Sequence, residues 1–194
     1  MKHSSLQIIH EEHASLAAML QSLRMMLQRG PGSDARQFFE VLGAMLFYID
    51  EFPEKLHHTK ESELLFPRVR QASPAVAETL AKLERDHQAS EAGVRELQHL
   101  LLAWELLGES RRAAFESACL RYLDAYLEHM RLEESVILPE AQKCLTDADW
   151  QALDAAFAEN EDPLNGRLAR NPLYDRLYSR IVSTAPAPIG LGAA

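Results

Sequence analysis

Four histidines and two glutamates in this chain are spaced so that they could hold a transition metal. His57 is followed four residues later by Glu61, and His129 by Glu133, while His13 and His87 lack such a partner. On a helix, residues i and i+4 lie one turn apart on the same face, so each pair would aim an imidazole and a carboxylate at one place. A single histidine on an apolar stripe is ordinarily a satisfied core residue. Four of them, one on each predicted helix, would all need partners in the core. Burying two glutamates without compensation would cost on the order of several kcal/mol each, and a metal supplies that compensation.

The pattern occurs twice. Leu56-His57-His58-Thr59-Lys60-Glu61 runs on to Leu65-Phe66-Pro67, and Glu128-His129-Met130-Arg131-Leu132-Glu133 runs on to Ile137-Leu138-Pro139. Each histidine therefore has Glu at +4 and Pro at +10. Glu12-His13-Ala14-Ser15 likewise matches Asp86-His87-Gln88-Ala89, and the lone histidine precedes its partner by 44 residues in one case and 42 in the other. Two helical hairpins, each giving one lone histidine and one His-x-x-x-Glu, would enclose a two-metal centre about a pseudo-twofold axis.

Glycine and proline cluster at Gly30-Pro31-Gly32-Ser33-Asp34, from Pro67 to Ser73-Pro74, and at Gly108-Glu109-Ser110. Between these breaks apolar residues recur at helical period. The spacing predicts helices over 4–29, 36–70, 75–107 and 110–144, with short connections that favour antiparallel neighbours. No strand run with hairpin signals is present. The expected fold is all-α: an up-down antiparallel four-helix bundle over 1–145, with a short helical C-terminal extension over 146–194 packed on the same domain. In that extension Thr146 reads as the N-cap of a helix carrying Trp150, Leu153 and Phe157. Asn160-Glu161-Asp162-Pro163 reads as a break, 172–182 as a last short helix, and Ser183 onward as an extended or mobile tail.

The histidines fall on the core seams. Leu6, Ile9, His13, Leu16, Leu20, Leu23 and Leu27 alternate steps of three and four, and His87 and His129 occupy similar slots on the third and fourth helices. On the second helix Leu42, Leu46 and Ile49 lead through Pro53 to His57, Glu61 and Leu64, where Pro53 would kink an interior turn. At about 1.5 Å per residue, His57, His87 and His129 come to similar heights. His13 fits less well, because the first helix reaches Gly30 in fewer residues than the second needs to return to His57.

The remaining composition is ordinary for a globular domain. The 194 residues are 47% apolar and 25% charged, enough for one sizeable core and unlike a disordered chain. A net charge of −9 argues against nucleic acid or an anionic membrane as partner. No window approaches the ~18 apolar residues of a membrane span, and no signal-peptide pattern is seen. Cys119 and Cys144 show no metal-site spacing, and a reducing cytoplasm is the simplest setting. Four-helix proteins of this size often pair, so a homodimer is among the expectations.

Taken in order, Ile9-His10-Glu11-Glu12-His13, Phe52 to Glu61 with Leu65-Phe66-Pro67, Glu84-Arg85-Asp86-His87, and His129 to Glu134 with Ile137-Leu138-Pro139 resemble the hemerythrin-like, HHE cation-binding family. Asp149-Trp150, Phe157 and Asp162-Pro163-Leu164 resemble a bacterial subset of it. The resemblance implies a four-helix bundle around a non-haem di-iron centre. It makes His13, His57, His87 and His129 terminal ligands and Glu61 and Glu133 bridging ones, with an oxo or hydroxo bridge between the irons. Oxygen carriers of the family have a second histidine one turn after the third-helix ligand. Here that position is Glu91, so the carrier pattern is broken. The carriers also place their last carboxylate at +5, which would be Glu134, whereas the HHE pattern favours Glu133. With these ligands, two octahedral ions keep two positions open unless Glu91 takes one. Such a centre fits reaction with, or sensing of, O2, peroxide or NO better than reversible O2 carriage.

Other readings remain beside this one. His10 and His58 are alternative ligands, hydrogen-bonding partners of the ligands or solvated residues, and Tyr122 is core packing or a hydroxyl near the irons. Glu54-x-x-His57 and Glu84-x-x-His87 match the Glu-x-x-His of ferritin-like di-iron proteins, but the first and fourth helices lack the pairing that template needs. The alternative function is a regulatory or protein-interaction module, stabilised by metal and without redox chemistry, whose extension contacts a partner.

Overall fold

The computed structural model describes residues 3–160, Leu164 and residues 174–192. Helix α1 is Ser4–Arg29. Helix α2 runs over 35–72, from Ala35–Ile49 through a π-helical stretch Asp50–His57, a short α segment His58–Lys60 and a second π stretch Glu61–Leu65 to Phe66–Ala72. Helix α3 is Ala77–Leu107. Helix α4 runs over 112–144, with a π stretch Glu133–Ile137 between Arg112–Leu132 and Leu138–Cys144. Helices α5, Asp147–Phe157, and α6, Asp175–Thr184, follow.

Local chemistry sets these ends. Gly30 and Gly108 take positive φ, 69° and 86°, and return their N–H groups to Met26 O and Trp104 O, closing α1 and α3. Asp34 caps α2 by accepting from the Gln37 N–H at 3.0 Å. Thr146 and Asp149 form a reciprocal capping box at the start of α5.

Helices α1 and α3 each pack on both α2 and α4, which closes the four-helix ring, and α5 lies on α1. No strand occurs among the described residues, as expected for an all-α bundle. Apolar residues form two clusters. One contains Leu23, Leu42, Met45, Leu97 and Phe115, and the other Ile9, Phe66, Leu80, Ile137 and Trp150. On each bundle helix the seam histidine lies near the boundary between the two. Both cysteines are free, and no described helix is long and apolar enough to cross a membrane.

The prolines inside the predicted helices do not end them. Pro53 lies within a π stretch, and Pro67 and Pro139 each follow one directly, so the helix continues through all three. The reason is geometric. A π turn bonds residue i to i+5, which shifts the carbonyl that a proline ring would otherwise strike. The same wider winding shortens α2, which absorbs part of the length difference between His13 and His57.

The tail also differs. Ala185 is fully buried, Ser22 Oγ donates to Pro186 O at 2.8 Å, and the Ile189 N–H donates to Ser22 Oγ at 3.1 Å. The segment after α6 therefore folds back onto α1 instead of extending, because a buried serine on that helix satisfies its backbone. The last predicted helix is found at Asp175–Thr184, and residues 172 and 173 lie outside the described residues. So do Glu161, Asp162 and Pro163 of the expected break and of the bacterial-subset motif.

Candidate metal centre

Each bundle helix brings its seam histidine to one buried layer. His13 Nε2 and His57 Nε2 are 3.2 Å apart, and His87 Nε2 and His129 Nε2 are 3.1 Å apart. Two nitrogens ligating one ion at right angles, each at roughly 2.1 Å, would stand about 3 Å apart. The two glutamates lie between the pairs. Glu61 places Oε1 3.2 Å from His57 Nε2 and Oε2 3.5 Å from His87 Nε2. Glu133 places Oε2 3.3 Å from His13 Nε2 and Oε1 3.2 Å from His129 Nε2. Each carboxylate thus spans both histidine pairs, as a bridging ligand must.

Burial makes the arrangement demanding. Glu61 is 0% exposed and Glu133 1%. None of their four carboxylate oxygens has a hydrogen-bond partner. A buried anion without donors is costly, and bridged divalent cations would remove that cost, so these residues fit a two-metal site. Two groups of side chains come within metal-holding distance: His13, His57, Glu61 and Glu133, and His58, Glu61, His87 and His129.

The outward ring nitrogens are mostly held in place. His57 Nδ1–H donates to Glu12 Oε2 at 2.7 Å, and His13 Nδ1–H to Glu134 Oε1 at 3.0 Å. His87 Nδ1 pairs with Ser62 Oγ at 2.8 Å. His129 Nδ1 has no hydrogen bond, and its nearest carboxylate oxygen, on Asp86, is 3.7 Å away. Partners of this kind fix the tautomer and leave Nε2 free to ligate.

Without metal, protons on the imidazoles balance the carboxylates. Burial pushes the Glu61 carboxyl up and Glu133 adds to this, but His57 and His87 outweigh both and hold it down at about 2. Burial acts on Glu133 in the same direction, and His129, His13 and His87 hold it well below the usual range. Burial pushes His13 down, yet Glu133 and Glu134 raise it to about 9. His87 also reaches about 9, with Glu133 and Glu61 overcoming burial. Metal binding would displace such protons.

The two extra candidates lie elsewhere. His10 pairs through Nδ1 with Leu6 O at 2.7 Å on its own helix, and Glu91 is half-exposed and bound to Arg95 at 2.6 Å. His58 falls inside the layer, stacked on His87 at 3.9 Å. Burial lowers it to about 4, so it is neutral. It donates from Nδ1 to Glu54 Oε2 at 2.9 Å and accepts from the Tyr126 hydroxyl at 2.9 Å. Tyr122 donates to the same Glu54 at 3.0 Å, which gives it a polar role beside its packing one. The spacing argument missed Glu12, Ser62 and Asn160 as partners of this layer, and saw Glu134 only as an alternative ligand. The available signal was an acid directly before each lone histidine, at Glu12 and Asp86.

No curated protein matches the chain. The hemerythrin HHE cation binding domain matches residues 4–141, from the first residue of α1 into the last turns of α4. That match covers more than two thirds of the chain and all six residues at the centre of the layer, and the chain belongs to the hemerythrin HHE cation-binding domain family.

Proposed function

We propose that this protein holds two non-haem iron ions and uses them to bind or react with a small oxidant: O2, peroxide or NO. The observation that carries the reading is the pair of buried glutamates whose four oxygens lack donors while each glutamate faces both histidine pairs. His13 and His57 would hold one ion, His87 and His129 the other, and Glu61 and Glu133 both. Iron in such a mixed imidazole–carboxylate set supplies Lewis acidity and one-electron chemistry. The residues do the rest. Glu12, Glu134 and Ser62 orient the imidazoles, and the two apolar clusters flank the layer. Glu91 faces Arg95 and adds no ligand, so the set stays short of the carriers' histidine count. This favours reaction or sensing over storage of O2, within a reducing compartment such as the cytoplasm.

The test is anaerobic loading of the metal-free chain with ferrous iron, followed by metal analysis and optical spectra with azide or peroxide. Two irons per chain and ligand-sensitive ferric bands are expected. A colourless protein that retains zinc and rejects iron would overturn the reading.

A further inference from the structure

The family match ends at residue 141, yet a residue beyond it reaches the metal layer. Asn160, just past α5, is 7% exposed and donates from Nδ2 to Glu12 Oε1 at 2.8 Å and Oε2 at 3.1 Å. Glu12 is the carboxylate that accepts from His57 Nδ1 at 2.7 Å. The amide cannot be reversed without loss. Lys60 Nζ donates to Asn160 Oδ1 and, at 2.7 Å, to Ala156 O. The lysine thus fixes the oxygen end of Asn160 and leaves its NH2 for Glu12. Lys60 itself stands between His57 and Glu61 in sequence. The α5 segment has two further anchors. Phe157 meets the His57 ring edge-on at 6.3 Å, and Ser5 donates to Asp154 from both N and Oγ, at 2.7 and 2.6 Å.

We propose that Asn160 is a positioning residue of the metal centre, and that metal loading and docking of residues 147–160 are coupled through the chain Asn160–Glu12–His57. The inference rests on the layer holding metal, but on neither the identity of its oxidant nor its reactivity. The physical reason is accounting of donors. Buried Glu12 has two oxygens and faces one imidazole N–H. Asn160 supplies the remaining donors, which holds Glu12 fixed and so keeps His57 Nε2 turned inward. If docking of the extension strengthens metal binding by some factor, metal strengthens docking by the same factor.

The experiment uses the full chain and ferrous iron under anaerobic conditions. Affinity is read by chelator competition, and docking by amide hydrogen exchange over α5 with and without iron. Asn160→Ala is expected to weaken iron binding about 10-fold or more, the scale of a lost partner to a ligating histidine. Asn160→Asp, equal in size but placing a second carboxylate against Glu12, is expected to weaken it further. The double variant Asn160→Asp with Glu12→Gln restores one donor and one acceptor across the contact and is expected to recover much of the loss, which a purely structural role would not. In the wild type, iron is expected to slow α5 exchange, and Asn160→Ala to abolish that dependence. The proposal is overturned if Asn160→Ala binds iron within about twofold of wild type or if α5 exchange ignores iron. It also falls if the double variant is no better than Asn160→Asp alone. A wild-type chain that takes up no iron would sink the metal reading itself, a separate and recognisable outcome.

Discussion

In the α1–α2 hairpin, His57 Nδ1 meets Glu12 at 2.7 Å, whereas in the α3–α4 hairpin the matching His129 Nδ1 stands 3.7 Å from Asp86. The two acids hold equivalent places, one residue before the lone histidine. Glutamate has one more methylene, which spans the difference. Environment widens the contrast. The Glu12 side chain is 8% exposed and clamped by Asn160, while that of Asp86 is 33% exposed. A second set of partners crosses between hairpins. Glu134 follows Glu133 and holds His13, and Ser62 follows Glu61 and holds His87. Here one half carries a carboxylate and the other a neutral group. The inner histidines and glutamates repeat with the same residue types, but their supports do not, so the two histidine pairs are inequivalent. The less supported half is also the one on which His58 stacks.

The comparison can be broken most severely at the residues common to both halves. Glu61→Ala or Glu133→Ala removes a carboxylate that faces both histidine pairs, so each is expected to drop metal content below one ion per chain by elemental analysis. Retention of two ions by either variant would mean the halves do not share a centre. A smaller effect separates the halves. Glu12→Ala is expected to weaken ferrous iron binding by about 10- to 100-fold, and Asp86→Ala by about threefold or less, both read by chelator competition. Equal losses would erase the asymmetry.

Protonation offers a third test, with one histidine from each hairpin. In the metal-free fold His13 and His87 are raised from 6.5 to about 9, so their contribution to stability is complete below pH 6.5 and lost as pH rises through 9. Glu61 and Glu133 are lowered from 4.5, so theirs is complete above pH 4.5 and lost only in stronger acid. His58 acts the other way, because burial lowers it to about 4 and it costs stability as pH falls below 6.5, so the metal-free chain is expected to be most stable near pH 6.5, with a melting temperature that falls by several degrees towards pH 9. Iron-loaded protein should lack that alkaline fall, because metal replaces the protons. Thermal melts of both forms across this range decide it. The smallest expected change is a gain. Asp86→Glu should bring a carboxylate within reach of His129 Nδ1 and tighten iron binding about two- to threefold, which titration against the same chelator would resolve.

Much of this arrangement is legible along the chain. The glycines at 30 and 108 mark real helix ends, and the predicted helix over 36–70 is found over 35–72. The six residues chosen by spacing are brought into one layer, because i and i+4 on a helix must share a face. Other features were opaque. Pro53 and Pro67 sit within or directly after π stretches, which propensity rules written for an α helix do not foresee. The three readings open for His58 are not separable by spacing, and the structure places it in the core, stacked on His87.

The sequence by itself determined the helical class, the approximate ends of the four long helices and the residue types gathered in the layer, because period, capping and side-chain chemistry are local properties. Only the tertiary structure decided which groups support the ligands. Glu12, Glu134, Ser62 and Asn160 each act on a residue at least 25 positions away, and Asn160 lies 148 from Glu12. Such pairs depend on how helices are rotated and shifted against each other. A one-methylene difference between Glu12 and Asp86 then separates a hydrogen bond from a gap, a distinction that residue type and spacing do not encode.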